Sequence, residues 1–142
     1  MMNHPSPRLV PKPARTRQVL VAEDDVFMRR MIVQALQRDG FEVTAAEDGA
    51  RLLAHIEAAW LDPDDAHQYD LVITDAHMPK LSGIDVLREL RTVDPSTPVM
   101  VITAFSDQAM VDAVHDLDGV VLDKPFDLID FRTAALRHAR CP

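Results

Sequence analysis

Cysteine is nearly absent: Cys141, next to the carboxyl terminus, is the only one, so no internal disulfide can form and a reducing cytoplasm is the simplest setting. No apolar run approaches the roughly 18 residues that a membrane span needs, and the amino-terminal stretch lacks the apolar core of a secretory signal. Lysine is scarce too, with Lys12, Lys80 and Lys124 the only three. At a net charge of −8, such a chain is poorly suited to bind a nucleic-acid phosphate backbone. The charge is also uneven. Residues 1–17 carry Arg8, Lys12, Arg15 and Arg17 and no acid, so +4 there leaves −12 on the remainder.

What is present suits one soluble domain. The 142 residues are 47% hydrophobic and 27% charged, an ordinary balance for a chain with a single core. Pro5, Pro7, Pro11 and Pro13 punctuate a start with no apolar pattern. Residues 1–17 are therefore expected to be a disordered, proline-rich basic leader, unable to bury enough surface to offset its ordering entropy. Residues 18–140 are expected to fold.

From Gln18 onward short apolar runs alternate with longer stretches of helical spacing. The runs are Val19 to Ala22, Phe41 to Ala45, Leu71 to Thr74, Val99 to Thr103 and Val120 to Leu122. Between them Met28, Met31, Ile32, Ala35 and Leu36 mark one helical face, and Leu52, Leu53, Ile56 and Trp60 mark a second. Val86, Leu87, Leu90 and Val93 mark a third; Met110, Val111 and Val114 a fourth; Leu128, Phe131, Ala135 and Leu136 a fifth. Asp25, Asp48 and Asp127 read as amino-terminal caps, Ser82 to Asp85 as a capping box, and Ser106 as the start of the weaker fourth helix. Residues 61–68 read as a surface loop. Five nearly continuous apolar strands alternating with helices predict an α/β, doubly wound, five-stranded parallel sheet with helices on both faces. The methionines are expected mostly at helical core positions. His4, His55, His67, His115 and His138 have no metal-ligand spacing and are expected at the surface.

In such a sheet the chemistry gathers at the carboxyl ends of the strands. There the first run is followed by Glu23, Asp24 and Asp25, the third ends on Asp75, the fourth ends on Thr103, and Lys124 follows the fifth. Taken singly each residue is ordinary: Asp25 reads as a helix cap, Thr103 as a β-branched strand residue, and Lys124 as a surface lysine before Pro125. Together they make a set. Clustered carboxylates repel unless a cation neutralises them, and a hard divalent ion such as Mg2+ suits one or two carboxylates and a phosphoryl group. Asp75 can then act as a nucleophile on phosphorus, with the Thr103 hydroxyl and the Lys124 ammonium as donors to the phosphoryl oxygens.

Four runs carry a resemblance: Val19-Leu20-Val21-Ala22-Glu23-Asp24-Asp25; Asp70 to Pro79 with Ser82-Gly83; Val101-Ile102-Thr103-Ala104; and Asp123-Lys124-Pro125-Phe126. In order and spacing they resemble a two-component response-regulator receiver domain, of the stand-alone, chemotaxis-regulator-like type, over residues 18–140. The resemblance implies the flavodoxin-like (βα)5 fold with strand order 2-1-3-4-5. It implies Asp75 as phosphoacceptor, with Thr103 the switch hydroxyl and Lys124 the lysine that contacts acceptor and phosphoryl group. Mg2+, with Mn2+ as the alternative ion, would be held by Asp24, Asp75 and the backbone carbonyl of His77, and by Glu23 through water. A cis Lys124–Pro125 bond is implied as well, and small Ala104 would leave room for the phosphoryl group.

Two places depart from the family. An aromatic residue usually stands three before the lysine, where this chain has Val121, and Leu117-Asp118-Gly119 replaces the usual Gly-Ala pair. Switching is therefore expected through Thr103 alone or with Phe105. Phe105 and His77 are expected to flank the path of the water that hydrolyses the acyl phosphate. The leading reading is a phosphorylation switch that takes a phosphoryl group from a sensor histidine kinase or phosphotransfer protein and alters binding to an unidentified downstream protein. On this reading the chain catalyses only its own phosphorylation and dephosphorylation, lies in the cytoplasm, and carries no DNA-binding domain and no membrane span. The alternatives are a pseudo-receiver acting as a phosphorylation-independent interaction module, and a metal-dependent phosphohydrolase. The latter would want a second aspartate where His77 stands.

Overall fold

The structure, a computed structural model, describes residues 16–62 and 69–141. The expected leader up to residue 15 and most of the expected 61–68 loop lie outside the described residues. Ten elements alternate: β1 (Gln18–Ala22), α1 (Val26–Arg38), β2 (Glu42–Ala46), α2 (Gly49–Leu61), β3 (Leu71–Asp75), α3 (Gly83–Val93), β4 (Val99–Thr103), α4 (Gln108–Asp116), β5 (Gly119–Asp123) and α5 (Leu128–His138). The strands form one parallel sheet in the order β2-β1-β3-β4-β5, as expected. No helix among the described residues is long and apolar enough to cross a membrane.

The apolar runs are continuous because both faces of the sheet are covered. Side chains alternate along a strand, so each strand feeds two cores. Leu20, Ala22, Val72, Val99 and Val101 meet Leu52 and Ile56 of α2, Val86, Leu87 and Leu90 of α3, and Val114 of α4. Their neighbours Val19, Val21, Leu71, Ile73, Met100 and Ile102 meet Ile32, Ala35 and Leu36 of α1 and Phe131 and Ala135 of α5. Phe126 stacks on Phe131 with ring centroids 5.4 Å apart, and Arg132 of α5 grips the Asp39 carboxylate with bonds of 2.9 and 2.6 Å. That pair fastens α5 to the end of α1.

Each helix begins on a side-chain oxygen. Asp25, Asp48, Ser82, Asp107 and Asp127 accept the N–H groups of Met28, Arg51, Asp85, Met110 and Asp130. Four of these caps are the expected ones. The fourth helix starts at Asp107 rather than Ser106, because a carboxylate accepts the orphan N–H more strongly and its charge is favoured at a helix amino terminus. Phe41 also departs from expectation. It closes the α1 turn through an N–H to the Leu36 carbonyl, its ring lies under the Arg17 guanidinium at 4.8 Å, and β2 starts one residue later. The methionines likewise depart. Met78 and Met100, in a loop and a strand, are buried, whereas the helical Met28, Met31 and Met110 are only half-buried. His55 and His138 are half-buried rather than fully at the surface, and His115 is exposed.

Strand register sets the site. Ala22 pairs with Thr74, Asp75 with Ile102, and Thr103 with Asp123, so Glu23, Asp75, Thr103 and Lys124 all emerge at one edge. The first residue of α3, Gly83, abuts the backbone beneath Asp75. Its N–H donates to the Ala76 carbonyl at 2.9 Å, and a Cβ there would stand 2.5 Å from the Asp75 carbonyl oxygen and 2.9 Å from Ala76 Cα. Backbone cannot yield as a flexible side chain would. Gly83→Ala is therefore expected to destabilise the fold by about 1–3 kcal/mol, as overpacking does. Urea unfolding measures this, and an unchanged midpoint would show that α3 shifts freely away from β3.

Candidate functional site

Two short loops and two strand ends build the site. Leaving β1, Glu23 donates its N–H to the Ala46 carbonyl at 3.1 Å, and its own carbonyl accepts from the Arg29 guanidinium at 2.8 Å. The Glu23 side chain is buried, with 3% of the residue exposed, while Asp24 faces solvent. Asp75, 6% exposed, closes β3. Glu23, Asp24 and Asp75 each offer a carboxylate oxygen within 4.8 Å of the others.

Lys124 faces this triad. Its Nζ lies 3.1 Å from Asp75 Oδ2 and 3.6 Å from Glu23 Oε1. Its backbone N–H donates to the Thr103 carbonyl at 2.7 Å, and the Lys124–Pro125 bond is cis, as the resemblance implied. His77 enters through its backbone N–H, which donates to Asp75 Oδ1 at 3.1 Å; its side chain is exposed. Thr103 is buried, and its hydroxyl oxygen accepts the Phe105 N–H at 3.1 Å. The structure thus brings Glu23, Asp24, Asp75 and Lys124 together. Thr103 stands on the adjacent strand end with its hydroxyl turned to the following loop.

Three carboxylates against one ammonium leave an excess of negative charge, and the ionisation of the site reflects it. Burial, then the hydrogen bond to Asp75 and the negative charge of Asp75, push Glu23 up from 4.5 to about 8, with Lys124 pulling the other way. Burial alone would raise Asp75 as well. Hydrogen bonds from Glu23, from the His77 N–H and from Lys124 overcome it and hold Asp75 below the usual carboxylate range. Burial would lower Lys124, but its hydrogen bond to Asp75 and the two nearby carboxylates raise it. The site thus favours the protonated form of Glu23, the anionic form of Asp75 and the cationic form of Lys124. The donor set, all hard oxygens with an excess of negative charge, fits a divalent cation of the Mg2+ type.

Some features of the site were not read from the sequence. Arg29 is one: a cation in the first turn of a helix gives no signal until the carbonyl it binds is known. The rim is another. Phe27, Phe105 and Ile129 are 81%, 79% and 72% exposed, and each sits on a loop or first turn adjoining the site. Met28 and Met31 line an open groove of about 370 Å³ with Ala104, Lys124, Pro125 and Phe126, which explains their incomplete burial.

Comparison with known proteins agrees with this arrangement. The family model described as the response regulator receiver domain matches residues 19–136. The response regulator receiver protein CpdR of Brucella abortus is 35% identical over 80% of this chain and 89% of its own length. The transcriptional regulatory protein PdtaR of Mycobacterium tuberculosis is also 35% identical, but there the match spans only 52% of the relative. Among solved structures, a receiver domain protein of Clostridium thermocellum superposes with a TM-score of 0.73 at 29% identity, over 86% of this chain and 93% of that one. Receiver domains are signalling switches rather than classical enzymes, and they generally bind Mg2+ at an acidic pocket and interact with histidine kinases or phosphotransfer proteins. With the fold, the acidic edge and the matched span in agreement, this chain belongs to the response regulator receiver domain family.

Proposed function

We propose that the chain is a phosphorylation-dependent switch of a two-component system or phosphorelay, acting in the cytoplasm, with Asp75 as the phosphoacceptor. The observation that carries this is the state of Asp75. It is buried, held as an anion, and 3.1 Å from Lys124 at an edge where Glu23 and Asp24 converge. An ionised Asp75 oxygen attacks the phosphorus of a phosphohistidine, an O–P bond forms, the N–P bond breaks, and the imidazole leaves. Lys124 stays paired with charge throughout, passing from the carboxylate toward the phosphoryl oxygens. Asp24, Asp75 and the His77 carbonyl would hold Mg2+ (Mn2+ being the alternative), with Glu23 acting through water. The ion supplies charge neutralisation for the transferred group. The apolar rim of Phe27, Phe105 and Ile129 supports docking of a protein donor, since large exposed rings are what a partner buries.

Thr103 supports the switching step. Its hydroxyl is engaged by the Phe105 N–H, so a turn toward the phosphoryl group releases the loop that carries Phe105. Val121, half-buried against the core beside α4, offers no aromatic toggle and is the one feature that favours a phosphorylation-independent module.

Three outcomes are expected. Phosphotransfer profiling against the sensor kinases of the host labels the wild type and not Asp75→Ala; label retained by Asp75→Ala contradicts the assignment, and no transfer to the wild type favours the phosphorylation-independent module. The ionisation of Glu23 sets the second. Its folded-state value lies above its unfolded one, so without metal the folded chain holds the extra proton and loses stability as pH rises from 4.5 to about 8. Asp75, shifted downward from 3.8, and Lys124, shifted upward from 10.5, act outside that window. A bound Mg2+ would favour the ionised form of Glu23, so stabilisation by added Mg2+ in urea unfolding is expected to grow across the same range, and Glu23→Gln flattens the metal-free slope; a slope unchanged in Glu23→Gln contradicts this ionisation. Third, Phe105→Ala shortens the phosphorylated lifetime, followed as decay of radiolabel, because the bulky ring slows water entry once the loop is released. An identical decay would place the ring in solvent in both states.

A further inference from the structure

Arg29 occupies a position that its own helix disfavours. It lies in the first turn of α1, where the helix dipole and the unpaired N–H groups favour negative charge, and no acid in that turn offsets it. Its contact explains the placement. The guanidinium donates to the Glu23 carbonyl at 2.8 Å, which belongs to the peptide joining Glu23 to Asp24. On the other side of Glu23 the N–H is tied to Ala46 at 3.1 Å. Among the described residues no hydrogen bond orients the Asp24 carboxylate itself. Its direction toward Glu23 and Asp75 therefore depends on the peptide plane that Arg29 holds.

We infer that Arg29 is a positioning residue for the divalent-cation site, fixing the Glu23–Asp24 peptide so that the exposed Asp24 carboxylate converges with Glu23 and Asp75. The inference rests on the reading of the acidic edge as a Mg2+ site. Two effects of Arg29 on a bound cation oppose each other. Its side chain lines the same open pocket as Asp24 and Lys80, so its charge repels the ion. Its hydrogen bond holds a ligand in place. In a pocket open to water the repulsion is screened, whereas loss of a group that orients a metal ligand costs roughly 10–100-fold in affinity. Positioning dominates, and the sign of the effect on affinity separates the two.

The test is a calorimetric Mg2+ titration of the full chain, with urea unfolding in chelator as the measure of fold. Arg29→Ala is expected to weaken Mg2+ binding about tenfold, the lower end for such partners, with little change in the metal-free midpoint. Arg29→Lys, whose ammonium can reach the same carbonyl, is expected to lose less, and Arg29→Met, which keeps the apolar stem without a donor, replaces Arg29→Ala should that variant fail to fold. Equal or tighter binding by Arg29→Ala, or by Arg29→Met in its place, overturns the inference, since only relief of charge repulsion would remain. Asp24→Asn separates this failure from that of the metal reading. If wild type binds and Asp24→Asn does not, the site stands whatever Arg29 does; if wild type binds no Mg2+, both fall.

Discussion

The crowding of Glu23, Asp24 and Asp75 against a single ammonium is the constraint on which the rest of this molecule depends. Like charges at that spacing are costly at a partly buried edge, and the chain tolerates them because its sheet is held from both faces. The alternating strand residues are anchored in two cores, so the loops at the carboxyl edge inherit fixed positions from the register of β1, β3, β4 and β5. Even so the charge is not fully balanced. A proton on Glu23 relieves it, at a value pushed up to about 8, and a divalent cation would relieve it more completely.

From that constraint the division of labour follows. Asp75 remains an anion because its neighbours donate to it, which is the condition for nucleophilic chemistry. Lys124 is drawn to the site by both a 3.1 Å contact with Asp75 and the backbone bond to Thr103, so β4 and β5 are joined where the charge would change. The elements on that side are also the least anchored. The fourth helix buries only Val114 among its residues, against three or four in α1, α2 and α3, and the loop before it is exposed throughout. A segment with so few buried apolar contacts is the one that opens most readily. A change at Thr103 thus acts on the part of the fold least able to resist it.

Much of this was legible in the sequence because it depended on short-range pattern. Continuous apolar runs ending on Glu23, Asp75, Thr103 and Lys124 placed the site at one edge, and Asp25, Asp48, Ser82 and Asp127 marked helix starts through a local bond three residues long. What escaped depended on tertiary contacts. Arg29 matters because of a carbonyl six residues back that only the β1–α1 loop geometry brings within reach. Met28 and Met31 sit at helical spacing yet line a groove, because Ala104 and Pro125 leave space that a core would have filled. The direction of the Phe105 ring could not be read from its neighbours at all.

The central claim is that this edge makes Asp75 a nucleophile toward phosphorus. The most direct measurement is intact-mass analysis after incubation with Mg2+ and a small phosphoramidate, followed by borohydride reduction and peptide mapping to locate the acyl phosphate. The account predicts one phosphoryl group per chain, dependent on Mg2+ and located at Asp75. A chain that gains no phosphoryl group, or gains one at another residue while Asp75 stays unmodified, would contradict it.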